Sequence, residues 1–357
     1  MKIGFVFQRD SHLKAVYATA LRLVTQYKKA DIKFFGIEVS IDVHIPSSFD
    51  GVRLSLAEID QLSHCDYLVC CLGGFLLNKL IGRFQSTNTK IISIFPGVVS
   101  HYQVDAFITR FNADQVWLNC LDDYEFYARL CQTFKVKNNG LLYGASWFIA
   151  TECHKSYHQD KVIFFEQTQL ELDDYLTKKI LAQLVSLVEN YPNRLFLYKT
   201  RNNINNQYLE IIRQNLASFS NVRLVDELSD IDICQADSYI SISSSAIVEG
   251  LLQGKNCYLL SRSYLDKDAA EIFGWCGMFL DELNSLNVNW FKHRIYSPKY
   301  IVDLESISKN QSTHFSNRHL SKIVCQLLGV LLYHPKIWLI FTNKTRLKSI
   351  QKALEYL

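Results

Sequence analysis

Tyr239-Ile-Ser-Ile-Ser-Ser-Ser-Ala-Ile-Val-Glu-Gly-Leu-Leu-Gln-Gly-Lys-Asn-Cys-Tyr-Leu-Leu260 reads as strand, hydroxyl-rich turn, helix, glycine stop and second strand. Ser243, Ser244 and Ser245 put three hydroxyls at the mouth of a helix that begins near Ala246. The unpaired backbone N–H groups and positive dipole of such an end suit a phosphate. Glu249, one turn further in, suits a ribose diol and would repel a phosphate, so the pair points to a nucleotide monophosphate or nucleotide sugar. Gly254-Lys255 ends the helix before the next strand. A serine N-cap on an ordinary strand–helix unit is the competing reading, because serine is a leading N-cap residue.

The same grammar runs outward in both directions. Toward the N-terminus, apolar strand-like runs at Lys2–Phe7, Ile32–Glu38, Asp66–Leu72, Lys90–Phe95 and Val116–Asn119 alternate with helical patterns at Leu13–Tyr27, Phe75–Phe84 and Asp123–Phe134. Continuous apolar strands separated by helices predict a parallel sheet covered on both faces. After the polar stretch Thr151–Asp160 a second series begins, with strands at Val162–Phe165, Arg194–Thr200, Val222–Val225, Ser238–Ile242 and Cys257–Ser261 and helices at Asp173–Tyr191 and Gln207–Phe219. The expectation is an α/β protein of two Rossmann-like domains facing a central cleft. Residues 1–152 form the first, 153–312 the second, and 313–357 a set of C-terminal helices.

Composition agrees with that plan. A chain of 357 residues exceeds one ordinary core, and 48% hydrophobic with 20% charged residues is a globular balance. A formal net charge of +3 gives no global basic field, which argues against a nucleic-acid partner. The ten cysteines (65, 70, 71, 120, 131, 153, 234, 257, 276 and 325) form no Cys-x-x-Cys pair, so structural metal is not expected and most read as buried thiols of a reducing compartment. The start, Met-Lys-Ile-Gly-Phe-Val-Phe, is too short an apolar run for a signal peptide. The best spanning candidate, Ile323–Phe341, is interrupted at Tyr333-His-Pro-Lys336. A cytoplasmic protein is expected. The apolar faces of 324–341, followed by Lys344, Arg346, Lys348 and Lys352, suit either peripheral contact with the inner membrane face or helices packed back on the N-terminal domain.

Candidate chemistry lies at the carboxyl ends of the strands, where open α/β sheets bind ligands. Asp10 and His12, in Gln8-Arg-Asp-Ser-His12, are candidates for activating an acceptor hydroxyl, with helix capping the alternative. Gly73 and Gly74, and Pro96-Gly97, read as acceptor-side loops; neither a Gly-x-Gly-x-x-Gly fingerprint nor a Gly-x-x-x-x-Gly-Lys loop is present. In the second domain Lys199 and Arg201 offer a cationic pair for a phosphate or carboxylate, and Arg262 reaches for the same phosphate. Glu166, taken as catalytic, with Gln167 and Thr168, ends the domain's first strand. Asp268 and Glu271 read as helix-surface carboxylates. No Asp-x-Asp pattern of a metal-dependent transferase occurs at the comparable place, so no metal or other cofactor is expected.

The Ser-Ser-Ser-Ala-x-x-Glu element resembles the donor site of GT-B glycosyltransferases, particularly enzymes of bacterial capsule and surface-glycan synthesis that use CMP-activated nonulosonic acids. It is also similar to the Ser-Ser-Ala-x-x-Glu stretch of glycerophosphotransferases that use CDP-glycerol. The whole chain most resembles KpsS-like capsular transferases, among them pseudaminyltransferases. That resemblance implies metal-independent transfer of pseudaminic acid or a sialic-acid-like sugar, with retention, from a CMP donor to a sugar hydroxyl of a capsular polysaccharide precursor, lipid-linked where the membrane reading holds. It also implies that the acceptor binds on the N-terminal domain and the nucleotide-sugar donor on the C-terminal one. The chain departs from the related CMP-sugar enzymes at their His-Pro sequence, where it has Lys199-Thr-Arg-Asn202. A UDP-sugar or CDP-glycerol donor and a non-catalytic two-domain ligand receptor are the rival expectations.

Overall fold

Buried runs such as Tyr-Leu-Val-Cys-Cys at 67–71 have no solvent face, so they pair only inside a sheet covered on both sides. The computed structural model describes residues 1–39, 50–153, 161–167, 172–201, 206–274, 279–281, 301–310 and 344–355. The chain divides into two compact units, Met1–Phe148 with His293–Leu357, and Ile149–Lys292.

Seven parallel strands form the sheet of the first unit: β1 (Lys2–Phe7), β2 (Asp31–Ile37), β3 (Asp50–Leu54), β4 (Tyr67–Cys71), β5 (Lys90–Ser93), β6 (Gln115–Leu118) and β7 (Gly140–Leu142), in the order β3-β2-β1-β4-β5-β6-β7. Helices α1 (Asp10–Gln26), α2 (Gly74–Phe84), α3 (Val104–Ile108) and α4 (Leu121–Phe134) connect them. Arg22 of α1 is buried and donates to the Tyr143 hydroxyl and to the carbonyls of Ala145, Ser146 and Phe148, which ties the segment after β7 to the unit's first helix.

The second unit is a five-stranded parallel sheet, β8 (Lys161–Phe165), β9 (Leu195–Lys199), β10 (Val222–Val225), β11 (Ala236–Ser241) and β12 (Asn256–Leu259), ordered β10-β9-β8-β11-β12. Its helices are α5 (Asp174–Asn190), α6 (Gln207–Leu216), α7 (Asp230–Gln235), α8 (Ala246–Leu252) and α9 (Lys267–Phe273). Helix α8 stops as its sequence requires. Gly254 takes φ +72, its N–H reaches Leu251 O at 3.0 Å, and Lys255 N–H reaches Gly250 O at 2.8 Å, a Schellman pair that only glycine adopts without strain.

The second unit is shorter than the sequence suggests. Residues 301–310 already belong to the first unit: Gln26 and Tyr27 bond the backbone of Val302 and Leu304, and Asp114 accepts from Lys309 and from Asn310 N–H. The final helix, α10 (Lys344–Glu355), packs on α3, with Ile350 and Ala353 in the core and Ser349 bonded to Asp105 at 2.6 Å. The apolar segment 323–341 lies outside the described residues. Among the described residues no helix is long and apolar enough to cross a membrane.

Two readings of single residues change. Cys65, Cys70, Cys71, Cys120, Cys131 and Cys257 are buried free thiols, but Cys153 and Cys234, 81 positions apart, form a disulfide inside the second unit. Cys276 and Cys325 lie outside the described residues. Glu271, expected on a helix surface, is buried, because α9 turns that face inward with Ala269, Ile272 and Phe273.

Candidate functional site

Each sheet reverses its winding once. In the first unit the chain leaves β1 for β2 and β3 on one side, then crosses to β4 on the other; in the second it leaves β8 for β9 and β10, then crosses to β11. At such a switch point the connections beyond the two carboxyl ends diverge and leave a crevice. The loops beyond β8 and β11 are Glu166-Gln167 and the serine turn. Those beyond β1 and β4 are Gln8–Arg9 and Leu72–Gly73. Most of the residues picked from the sequence therefore group around two positions, one in each unit.

In the second unit the Gln167 side chain bridges the crevice to Ser241 Oγ at 3.3 Å. Ser241 Oγ in turn accepts from Ser244 N–H at 3.1 Å, and Ser244 Oγ accepts from Ala246 N–H at 3.2 Å. Ser244 is thus buried and committed to shaping the turn. Ser243 and Ser245 are half-buried, and among the described residues the Ser243 hydroxyl has no hydrogen-bond partner. Glu249 is half-buried in the first turn of α8.

Glu166 is 2% exposed and its two oxygens are fully engaged. Arg213 of α6 grips it through Nε at 2.9 Å and Nη2 at 2.6 Å, the Tyr198 hydroxyl donates at 3.1 Å, and Arg201 N–H at 2.8 Å. A carboxylate held this way fixes the chain after β9 and has no lone pair left for a substrate proton, which corrects the catalytic part expected of it. Lys199 Nζ is turned onto the carbonyls of Thr200, at 2.9 Å, and Asp226. Burial, and then the neighbouring Arg201, hold its pKa below the usual ammonium value. Of the expected cationic pair, Arg201 is the exposed member. Arg262 follows β12 with its guanidinium 4.5 Å over the Phe279 ring. Thr168 lies outside the described residues.

In the first unit Asp10 is exposed at the start of α1, where Oδ1 accepts from Ser11 N–H at 2.7 Å. His12, 9% exposed, carries a buried Nδ1 with no partner. Burial, then the charges of Arg9 and Arg110, push its pKa down to about 4, so the ring is neutral at pH 7. Gly73 is the N-cap of α2 and a Cβ there would lie 3.9 Å from Gln8 Oε1, across the crevice. Gly74 abuts Thr109: a Cβ would come within 2.7 Å of its methyl group. Pro96 and Gly97 follow β5, one strand from the switch point, and Gly97 O accepts from Asn119 at 3.1 Å. Nearby, His101 pairs with Asp123, in the first turn of α4, at 3.0 Å, both side chains buried.

Arg110 and Arg213 escape sequence reasoning. Their one signal is a lone cation in an apolar context: Phe107-Ile-Thr-Arg-Phe111, and the buried-face spacing Leu209, Ile212, Leu216 that Arg213 borders. Among the described residues no group of three or more His, Cys, Asp or Glu side chains could hold a metal ion.

No protein-family model matches the sequence, and no curated protein matches it. Solved structures do. The UDP-GlcNAc 2-epimerase of Methanocaldococcus jannaschii is similar at 10% identity with a TM-score of 0.55, over 78% of this chain and 88% of that one. The UDP-GlcNAc 2-epimerase of Neisseria meningitidis bound to UDP-GlcNAc matches at 13% identity, TM-score 0.51, over 73% of this chain and 82% of that one. Arabidopsis thaliana UGT89C1 complexed with UDP matches at 12% identity, TM-score 0.52, over 76% and 81%. At these identities the likeness is one of fold. The chain has the GT-B architecture of two parallel-sheet Rossmann-like units.

Proposed function

We propose that this protein is a glycosyltransferase that takes a nonulosonic acid, pseudaminic acid or a sialic-acid-like sugar, from a CMP-activated donor to a sugar hydroxyl of a capsular or surface-glycan precursor. The observation that carries the reading is the serine turn at the switch point of the second unit, with an uncommitted Ser243 hydroxyl beside the amides that open α8. In this reading Ser243, Ser245 and the turn's N–H groups hold the donor phosphate, Glu249 accepts from the ribose diol, and Arg201 offsets charge that builds on departing CMP. The reaction needs no metal. The acceptor binds at the first unit's switch point, between Gln8–His12 and Gly73–Gly74, with Pro96 and Gly97 at its edge. A neutral imidazole with a pKa of about 4 is a weak base, so His12 orients the acceptor hydroxyl by accepting its hydrogen bond. Asp10, exposed on the same turn, takes the proton. Cytoplasmic work at the inner membrane face, on a lipid-linked acceptor, belongs to the same proposal.

A UDP-sugar donor is the second reading, favoured by the solved structures of like fold that carry UDP or UDP-GlcNAc. Thermal unfolding with CMP, CDP, UMP and UDP separates the two. A ligand at 100 times its Kd adds about 2.7 kcal/mol to the folded state. Stabilisation by CMP that Ser243→Ala removes supports the first reading, a response to UDP alone selects the second, and no response to any nucleotide refutes both.

A further inference from the structure

The first unit buries a cation where a cation is least expected. Arg110 is 4% exposed and forms no ion pair among the described residues. Its guanidinium lies 4.0 Å over the face of Phe95, donates through Nη1 to Ala106 O and weakly to Thr109 Oγ1, and reaches through Nη2 only to Leu72 O at 3.5 Å. Nε is buried with no hydrogen-bond partner among the described residues. Arg22, in the same unit and equally buried, instead meets four acceptors, three of them between 2.7 and 2.9 Å, so an under-satisfied guanidinium is not the rule of this fold.

The position of Arg110 sharpens the anomaly. Leu72 immediately precedes the N-cap of α2, and Thr109 packs against Gly74, the first residue of that helix. The first amide paired within α2 is that of Leu77, bonded to Gly73 O at 2.9 Å, and Gly73 has no side chain to cap the amides before it. A buried guanidinium therefore shares one place with the positive end of an 11-residue helix. His12, nine-tenths buried with an orphan Nδ1, feels the same charge. Arg110 and the opening amides of α2 converge beside His12, and the carboxylates that act on them, Asp105 on Arg110 and Asp10 on His12, form no ion pair or hydrogen bond with either among the described residues. Such an arrangement costs free energy unless an anion completes it.

We propose that the β1/β4 switch point of the first unit is an oxyanion-binding subsite, in which Arg110 and the amides opening α2 receive a carboxylate or phosphate group of a sugar substrate, with the neutral His12 ring beside it. This deepens the acceptor side of the proposed function, because it makes the molecule bound there an acidic sugar or a sugar phosphate. It does not depend on which nucleotide the second unit binds.

The test uses the full-length protein with three probes, glucuronate, glucose 6-phosphate and glucose, at matched ionic strength. Proton NMR follows the His12 ring signal, assigned through His12→Gln, and calorimetry gives the affinity. Saturable perturbation of that signal by glucuronate or glucose 6-phosphate, and not by glucose, is the expected result, and the stronger of the two names the anion. Arg110→Met should weaken that binding by at least about tenfold, the scale of a charge-assisted hydrogen bond. If Arg110→Met does not fold, Gly73→Ala decides. Its backbone, φ −66 and ψ 151, accepts alanine, and its Cβ meets nothing nearer than 3.9 Å, so it keeps the fold while narrowing the crevice; several-fold weaker binding is expected. Equal perturbation by glucose, absence of saturation with either anion, or unchanged affinity in Gly73→Ala overturns the proposal. A nucleotide response that survives such a failure leaves the donor reading standing, and loss of the nucleotide response alone leaves the subsite standing.

Discussion

The two switch points share a topology and handle buried charge in opposite ways. In the loop beyond β8, Glu166 is enclosed by Arg213, Tyr198 and the Arg201 amide, so the charge is neutralised inside the unit. Beyond β1 and β4, Arg110 and His12 are as deeply buried, yet among the described residues no carboxylate pairs with either. Topology creates a crevice in both places, but only the unspent valence of its side chains says what enters. In the second unit that valence remains with the Ser243 hydroxyl and the exposed Arg201; in the first it is the buried cation itself.

The largest expected effect is at the satisfied end. Arg213→Met strands Glu166 without its partner and should destabilise the protein by about 3–5 kcal/mol in urea denaturation. A loss below about 1 kcal/mol would show that Glu166 relaxes to solvent and that the two switch points do not differ as described. The next effect is a pH dependence. The folded His12 resists protonation down to about pH 4, whereas an unfolded histidine binds its proton near 6.5. Between these values the unfolded state holds more protons, so this contribution is fully present above pH 6.5 and is lost as pH falls toward 4, by at most about 3 kcal/mol. Denaturation of His12→Gln across that range should show a correspondingly shallower decline; an equal decline would assign the loss to other groups.

Smaller effects separate the glycines and serines that shape the two crevices. Gly74→Ala drives a methyl group into Thr109 and should cost about 1–3 kcal/mol, whereas its neighbour Gly73→Ala should leave the melting temperature nearly unchanged. Ser244→Ala removes the hydroxyl that receives Ala246 N–H and should cost about 1 kcal/mol, as loss of a helix cap does. Ser243→Ala should leave stability within about 0.5 kcal/mol and act only on nucleotide affinity. Equal losses of stability for the two serines would break the distinction between a turn-forming and a ligand-facing hydroxyl.

Periodicity carried most of the architecture. The strands Lys2–Phe7 and Val222–Val225 stand where their apolar runs predict, and the helices that follow β1, β4, β8 and β9 begin within three residues of expectation. Short or polar elements escaped: β3 (Asp50–Leu54) is an edge strand with four exposed residues, β7 has three residues, and α3 and α7 are shorter than two turns. Such elements have too few periods to show a pattern and are held by neighbours instead. The domain end at 312 failed for a related reason. Nothing in the composition of 301–310 reveals that Asp114 and Gln26, far away in the chain, bind its backbone.

At the candidate sites, the strand–turn–helix pattern placed the serine turn, the Gln8–His12 turn and the paired glycines at the carboxyl ends of strands, because alternation of apolar runs and turns is local in the chain. It did not tell Ser243 from Ser244, a structural Glu166 from a catalytic one, or that Arg110 is buried. Those distinctions depend on partners distant in sequence: Arg213 lies 47 residues from Glu166, and Leu72 lies 38 from Arg110. The sequence by itself determined two parallel α/β units and the loops that carry their polar groups, since burial periodicity is written in neighbouring residues. Only the tertiary structure decided which charges are neutralised and which are left open, because a buried charge takes its meaning from the groups that folding packs against it.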